Sequence, residues 1–369
     1  MCTKKIYNRL MKNHIGTIAI LGSGETSPNL VSVHRELLAD LEKSSDAYMI
    51  DSPFGFQENA KQLVEKIQEF YKVSLNIDIN LASYRKIEEL GTKSYYKSIQ
   101  MLENASFIFA GPGSPSYASK LWSGNEFEQT LTNHLLNGKN GLFASAAAST
   151  LGEYTLPVYE IYKVGMDPYW EKGLNILKVY DLSCTVIPHF NNAEGGNHDT
   201  SYSYVGKNRM STLLGKAYTN ILGIDEHTAL VISGKNNLFK VIGLGNVTII
   251  NSEGTHIFGK DSEEKLDVLQ KLLKVNTEKD TQVNESINLD LTSSDKSALK
   301  EIASLEIQIE KNKKNIERFE SLVEQLITLR SELRDDKNYE LSDKVRDILE
   351  SLGLQIEDTD QGIQWKVID

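Results

Sequence analysis

Between residues 15 and 275, short apolar, β-branched runs alternate with amphipathic stretches, and this alternation limits the fold more than any other feature of the chain. The runs are Ile15–Leu21, Ala47–Asp51, Phe107–Ala110, Gly141–Ala144, Cys184–Pro188 and Ala229–Ile232. Their near-continuous apolar character is that of strands covered on both faces. Val31–Leu41 and Asn59–Tyr71 place apolar residues at the spacing of one helix face. Several runs end in a glycine-rich or polar turn. This rhythm predicts an α/β layered fold, a mostly parallel sheet flanked by helices, with functional groups at the carboxyl ends of its strands. Phe239–Phe258 alternates and is broken by Gly243, Gly245 and Gly254, which predicts antiparallel strands at one edge.

The pattern stops near residue 276. Residues 276–295 are polar and without periodicity, a linker. Beyond it Ile302, Leu305, Ile309, Asn312, Ile316, Phe319, Val323, Leu326, Arg330 and Leu333 are spaced alternately three and four apart. Such a heptad seam predicts a long coiled-coil-like helix, with Asn312 and Arg330 as register-setting polar positions. Asp335–Asn338 breaks it. Leu341, Val345, Ile348, Leu349 and Leu352 then line a second helix ended by Gly353 as a C′ glycine, and two short strands flank Asp360–Gly362. The expected organisation is an N-terminal extension 1–14, an α/β domain 15–275, the linker 276–295, and a helical hairpin or coiled-coil appendage with a short β tail over 296–369.

Composition narrows the function classes. The 369 residues carry 40 Lys and Arg against 51 Asp and Glu, a formal charge of −11. That balance opposes a broad nucleic-acid or membrane surface. Cys2 and Cys184 are too few and too far apart for a disulfide framework, and the first residues lack the apolar core of a signal peptide. No stretch reaches the ~18 apolar residues of a membrane helix. The expectation is a cytoplasmic protein with no membrane partner.

Four segments carry candidate chemistry. Gly141-Leu-Phe-Ala-Ser145-Ala-Ala-Ala-Ser149 runs from a strand into small residues, a setting that exposes a serine hydroxyl on a tight strand-to-helix turn. The usual elbow is G-x-S-x-G, but Phe143 and Ala147 hold the glycine positions. Gly111-Pro-Gly-Ser-Pro-Ser-Tyr117 follows another strand and offers backbone N–H groups to an oxyanion, the second donor being Ala146. Pro188-His189 ends a strand, and Glu194, His198 and Asp199 follow in a polar loop whose spacings match no common metal motif. Gly223-Ile-Asp225-Glu226-His227-Thr-Ala229 sets a carboxylate before an apolar strand, where it could orient a histidine. Gly22-Ser-Gly-Glu-Thr-Ser27 lacks the third glycine of a dinucleotide fingerprint. No cofactor and no metal are expected.

In order, these segments resemble the cyanophycinase / dipeptidase E family of serine peptidases, a branch of the class I glutamine-amidotransferase-like fold. The resemblance covers about residues 15–260 and rests on FASAAA, IPHF and a nearly literal GIDEHTA. It implies hydrolysis of a small peptide or amide substrate, with Ser145 as nucleophile, His189 as base and Glu226 as the acid that holds the imidazole. It implies oxyanion donors at Gly113 and Ala146, and Glu160 as the alternative acid. Ser114, Glu160, Asn191, Asn192 and Glu194 are the expected substrate-binding positions. The basic residue that often follows the family's histidine is absent, so a preference for aspartyl substrates does not carry over. The missing elbow glycines raise the alternative of a catalytically silent relative that binds a small molecule or peptide.

Residues 329–366 resemble the extreme C-terminus of cysteinyl-tRNA synthetases through the helix-ending glycine and a D-T-x-Q-G-x-x-W tail, carried by Asp358, Thr359, Gln361, Gly362 and Trp365. No nucleotide-binding motif of a synthetase is present, which excludes aminoacylation. With 12 basic and 17 acidic residues in 296–369, a general tRNA-binding face is disfavoured. A homodimer through the C-terminal helix is the simpler expectation.

Overall fold

The structure, a computed structural model, describes residues 15–39, 41, 46–216, 219–274, 323–335, 337, 339–351, 354–359 and 362–367. It divides into two compact units, residues 1–300 and 301–369. The expected extension 1–14, the linker 276–295, the seam before Val323 and Gly353 lie outside the described residues.

The large unit is a mixed α/β fold around an eight-stranded sheet. Its strands are β1 (Thr17–Leu21), β2 (Ala47–Ile50), β3 (Asn80–Ala82), β4 (Phe107–Ala110) and β5 (Asn140–Ala144). A small hairpin, β6 (Tyr154–Thr155) with β7 (Glu171–Lys172), and β8 (Thr185–Ile187) and β9 (Ile221–Ile224) come next. The chain continues through β10 (Thr228–Ser233), β11 (Leu238–Gly243), β12 (Val247–Asn251), β13 (Gly254–Phe258) and β14 (Glu263–Lys265). The main sheet runs β14-β11-β10-β1-β5-β4-β2-β3. β1, β5, β4, β2 and β3 are parallel; β10, β11 and β14 continue the sheet antiparallel. All six apolar runs of the sequence became strands. The alternating Phe239–Phe258 segment is antiparallel, but it is divided between two sheets. β11 belongs to the main sheet, whereas β12 and β13 join β9 and β8 in a separate four-stranded sheet of order β13-β12-β9-β8. That second sheet is not visible in the hydrophobic pattern, because its pairing depends on contacts far apart in sequence.

β2 and β4 are wholly buried, and only the first residue of β1 and of β5 is not. Helices Val31–Leu38 and Ala60–Phe70 bury Val33, Leu37, Val64 and Ile67 in one cluster with Ala19, Met49, Phe107 and Leu142. The predicted helix limits shrank by a few residues, as fraying ends commonly do. Register sets the site. Leu21 pairs with Ala144 and Ala110 with Phe143, so the segments after β1, β5 and β4 emerge side by side. Ile187 pairs with Gly223, which aligns the segments after β8 and β9.

Two histidines are buried in this unit as neutral rings. His34 lies between the Tyr71 hydroxyl at 3.0 Å and the Glu25 carbonyl at 2.7 Å; His134 meets the Asn140 carbonyl at 2.8 Å. Burial pulls each down to about 4. Between pH 6.5 and 4 the unfolded chain therefore binds protons that the folded chain refuses, and stability falls as pH falls through that window. The expected loss is on the order of 3 kcal/mol per histidine. Urea unfolding at pH 7 and pH 5 checks it: the midpoint drops at pH 5, and His134→Gln makes it drop less.

The second unit pairs a helix over 323–335 with the helix Tyr339–Ser351 and a hairpin of Leu354–Thr359 with Gly362–Val367. Val323, Leu349 and Leu354 form its core with Leu326, Ile327 and Val345. Leu341, expected on the inward face, is 44% exposed, and Ser342 is buried in its stead. The inward stripe therefore runs Ser342, Val345, Leu349. Arg330 is buried too. Among the described residues no helix is long and apolar enough to cross a membrane.

Candidate active site

Ser145 follows β5 directly, and the chain turns from strand to the short helix Ala146–Ser149 at this one residue, with φ 52° and ψ −115°. A serine held there is strained by about 1–3 kcal/mol. Its surroundings fix it: Ser145 N–H donates to the Leu21 carbonyl at 3.0 Å, and Ala147 N–H to the Gly111 carbonyl at 3.3 Å. Phe143 lies in β5 and Ala147 in the helix, neither at positive φ. The elbow forms without its usual glycines, because the left-handed turn falls on the serine itself and its neighbours are alanines. Ala147 therefore carries no positive-φ strain.

His189 stands two residues beyond β8 with φ 48°. Its carbonyl accepts the N–H groups of Asn192 and Ser203, each at 3.1 Å, and the next residue, Phe190, donates to the Ile224 carbonyl at 3.1 Å. Glu226 stands two residues beyond β9. The three side chains meet in a line: Ser145 Oγ is 2.9 Å from His189 Nε2, and His189 Nδ1 is 3.0 Å from Glu226 Oε1. The histidine and glutamate side chains are 18% and 26% exposed, open to a ligand yet partly shielded.

The asparagines expected at the substrate are engaged with the acid. Asn192 Nδ2 donates to Glu226 Oε1 at 2.9 Å, and Asn191 Oδ1 accepts the Glu226 N–H at 2.8 Å. Burial alone would raise the Glu226 carboxyl. The hydrogen bonds from Asn192 and His189, and the charges of His189 and His227, hold it below its ordinary value instead. Asp225 beside it is buried and accepts the Asn246 N–H at 2.8 Å, which fixes the turn that presents Glu226. Glu194 accepts from the Tyr204 hydroxyl at 3.0 Å.

Gly113 adopts φ 148°, and a Cβ there would lie 2.0 Å from the Pro53 carbonyl oxygen. The Gly113 N–H makes no hydrogen bond within the described residues. Ala146 opens its helix, and a first helical N–H has no intrahelical partner. The Ser114 hydroxyl accepts the Tyr117 N–H at 3.2 Å and caps the helix Pro115–Trp122. Glu160, the alternative acid, accepts from Ser116 Oγ at 2.6 Å, so the carboxylate on His189 is Glu226. The remaining polar loop is structural. Asp199 accepts the Lys207 N–H at 2.8 Å, and the Ser201 hydroxyl with two backbone N–H groups pulls its carboxyl down to about 2. His198 stacks on Tyr162, 6.2 Å between centroids. Among the described residues no cluster of three His, Cys, Asp or Glu could hold a metal. Cys184 is buried, and burial raises its thiol well above the ordinary range.

Sequence reasoning missed Glu25. It sits in the segment after β1, where burial raises its carboxyl against the opposing effects of its own backbone and the charges of His189 and His227. His227 Nδ1 is 3.1 Å from Ser27 Oγ, so this segment is braced against the Glu226 turn. The available signal was position: Glu25 follows the carboxyl end of the first parallel strand.

A crystal structure of a peptidase from an acI-B1 Actinobacterium matches the fold with TM-score 0.55 and 20% identity, over 69% of this chain and 98% of that one. The likeness is one of fold, a large central sheet flanked by helices, as the sequence rhythm predicted. A C-terminal segment is 53% identical over 49 residues to the cysteine–tRNA ligase of Thermococcus onnurineus (strain NA1). It is 49% identical over 49 residues to that of Thermococcus kodakarensis (strain ATCC BAA-918 / JCM 12380 / KOD1). The match spans 13% of this chain and only 10% of the length of those ligases. No family model matches the chain.

Proposed function

We propose that the protein is a serine-dependent hydrolase of peptide or amide bonds, working through Ser145, His189 and Glu226. The observation that carries this reading is the unbroken line of contacts from Ser145 Oγ through His189 to Glu226 at 2.9 and 3.0 Å. A serine hydroxyl is a poor nucleophile and needs an adjacent base. Ionised Glu226 accepts the Nδ1–H of His189, leaving Nε2 to take the proton of Ser145 as its oxygen attacks the carbonyl carbon. The N–H groups of Gly113 and Ala146 then face the oxyanion of the tetrahedral intermediate. His189 returns the proton to the leaving amine, and water releases the acyl group by the same steps. The left-handed backbone of Ser145 supports the reading independently, since such strain collects at functional residues. Labelling with a fluorophosphonate probe, read as intact mass, tests it: one adduct forms on the wild type, and a folded protein with no adduct removes the reading.

Asn192 enters through the charge of Glu226. Because its hydrogen bond helps keep that carboxyl ionised, Asn192→Ala moves the Glu226 pKa upward. Glu226 is then neutralised at higher pH, so the acid limb of kcat/KM shifts to higher pH. The loss at neutral pH is about tenfold, the scale of one hydrogen bond to a charged group. A pH–rate profile of the variant beside the wild type checks both.

The ligase match favours tRNA as a second partner for the C-terminal unit alone. An electrophoretic shift with unmodified tRNA across salt concentrations tests it. A complex at low salt that weakens as salt rises supports recruitment of tRNA. No complex at low salt removes it and leaves self-association through the heptad seam, read as a mass that depends on concentration.

A further inference from the structure

Beyond His189 the chain makes the one run of successive non-glycine residues at positive φ among the described residues. Tyr202, Ser203 and Tyr204 stand at φ 57°, 57° and 69°. Residues with a Cβ visit this left-handed region singly, because the Cβ crowds the next carbonyl, so three in a row persist only where the surroundings impose them. Tyr202 N–H donates to the Phe190 carbonyl at 3.0 Å, Ser203 N–H to the His189 carbonyl at 3.1 Å and Tyr204 N–H to the Thr200 carbonyl at 2.8 Å. The Tyr202 ring meets Phe190 edge-on, with centroids 4.7 Å apart. The turn is thus fastened to the backbone of His189 itself. It brings the Tyr204 ring beside the imidazole, 5.9 Å between centroids with the planes at 48°. Tyr204 also meets Tyr162 at 5.5 Å, and its hydroxyl donates to Glu194 Oε2 at 3.0 Å. Burial, then the hydrogen bond and charge of Glu194, push that hydroxyl up to about 12, so it stays a donor.

The contacts to Ser145 and Glu226 aim the two nitrogens of His189, but they leave its ring free to tilt and open to water. A second ring packed beside it limits both. As His189 takes the serine proton it becomes a cation, and an aromatic ring within about 6 Å attracts a cation. That attraction grows only as the reaction proceeds, which is where it helps the rate. We propose that Tyr204 is a positioning residue for His189: its ring, set by the strained turn and tied to Glu194, keeps the imidazole in line between Ser145 and Glu226 and steadies the charge it gains. The role presupposes the hydrolytic reading of Ser145; labelling and resonance separate the two.

The test compares the full-length protein with Tyr204→Gly, since glycine adopts positive φ freely and removes the ring without asking the turn to change. Fluorophosphonate labelling is followed against probe concentration. The maximal labelling rate is expected to fall about tenfold, the scale of an aromatic ring on a cation, with the half-saturating concentration unchanged. Tyr204→Phe, which keeps the ring, is expected to recover most of that rate. An unchanged melting temperature shows the fold intact. Should Tyr204→Gly melt early, Tyr204→Leu keeps the bulk of the side chain and carries the same expectation. The second readout is the proton on His189 Nδ1 in proton NMR. Hydrogen-bonded to Glu226, it resonates far downfield, and its loss in His189→Ala assigns it. The signal is expected in the wild type and in Tyr204→Phe, and is expected to be lost to exchange with water in Tyr204→Gly. Labelling of Tyr204→Gly at the wild-type rate overturns the proposal. So does an Nδ1 signal that survives removal of the ring or is missing from the wild type. Tyr204→Phe as slow as Tyr204→Gly overturns it too, because the hydroxyl and not the ring would then act. Failure of the hydrolytic reading looks different: the wild type forms no adduct, while the Nδ1 signal still depends on the ring.

Discussion

Ser145→Ala abolishes the fluorophosphonate adduct, and His189→Ala abolishes it nearly as completely, although His189 is not the atom labelled. The second result carries more information. A serine that is merely exposed would react weakly with or without its neighbour, whereas one activated across 2.9 Å depends on the imidazole. For residues that act as a unit, losing either member costs about as much as losing all, so both variants should drop hydrolysis by about 10⁶. Glu226→Gln should cost about 10⁴, because it leaves the base present but poorly oriented. Equal adduct on wild type and His189→Ala would mean that the Ser145–His189 contact is structural.

Gly113→Ala produces the second large effect, through the backbone. The new Cβ would sit 2.0 Å from the Pro53 oxygen and 2.2 Å from the Pro53 carbonyl carbon, with φ at 148°. Real Cβ atoms do not come so near, so the segment after β4 must move off the segment after β2. That movement breaks the 2.8 Å bond from Ser114 N–H to the Pro53 carbonyl and displaces the Gly113 N–H, the proposed oxyanion donor. Losing one oxyanion donor lowers kcat by about 10²–10³. The fluorophosphonate reaction should slow as well, while urea unfolding shows a lower midpoint. A variant with normal kcat and a lower midpoint alone would remove Gly113 from the site.

The central strands and the serine, histidine and glutamate positions were legible because each is a local statement. A buried parallel strand must be apolar over four or five consecutive residues, and site residues cluster where such strands end. Ser145, His189 and Glu226 each stand one or two residues past a strand end. The strain of the elbow was not legible. The glycine pattern suggested that Phe143 and Ala147 stood in the way, but the positive φ falls on Ser145. Asn191 and Asn192 show a similar limit. Their polarity marked a site, but whether they face a substrate or Glu226 depends on a turn 34 or 35 residues away.

By itself, then, the sequence determined the layered α/β architecture, since hydrophobic periodicity is written along the chain. The tertiary structure alone decided the separate four-stranded sheet, the choice of Glu226 over Glu160 as the partner of His189, the bracing of Glu226 by asparagines, and the placing of Glu25 near His189. Each of those depends on which distant segments the strand register brings level. Register follows from the packing of the whole sheet, which no local stretch of sequence contains.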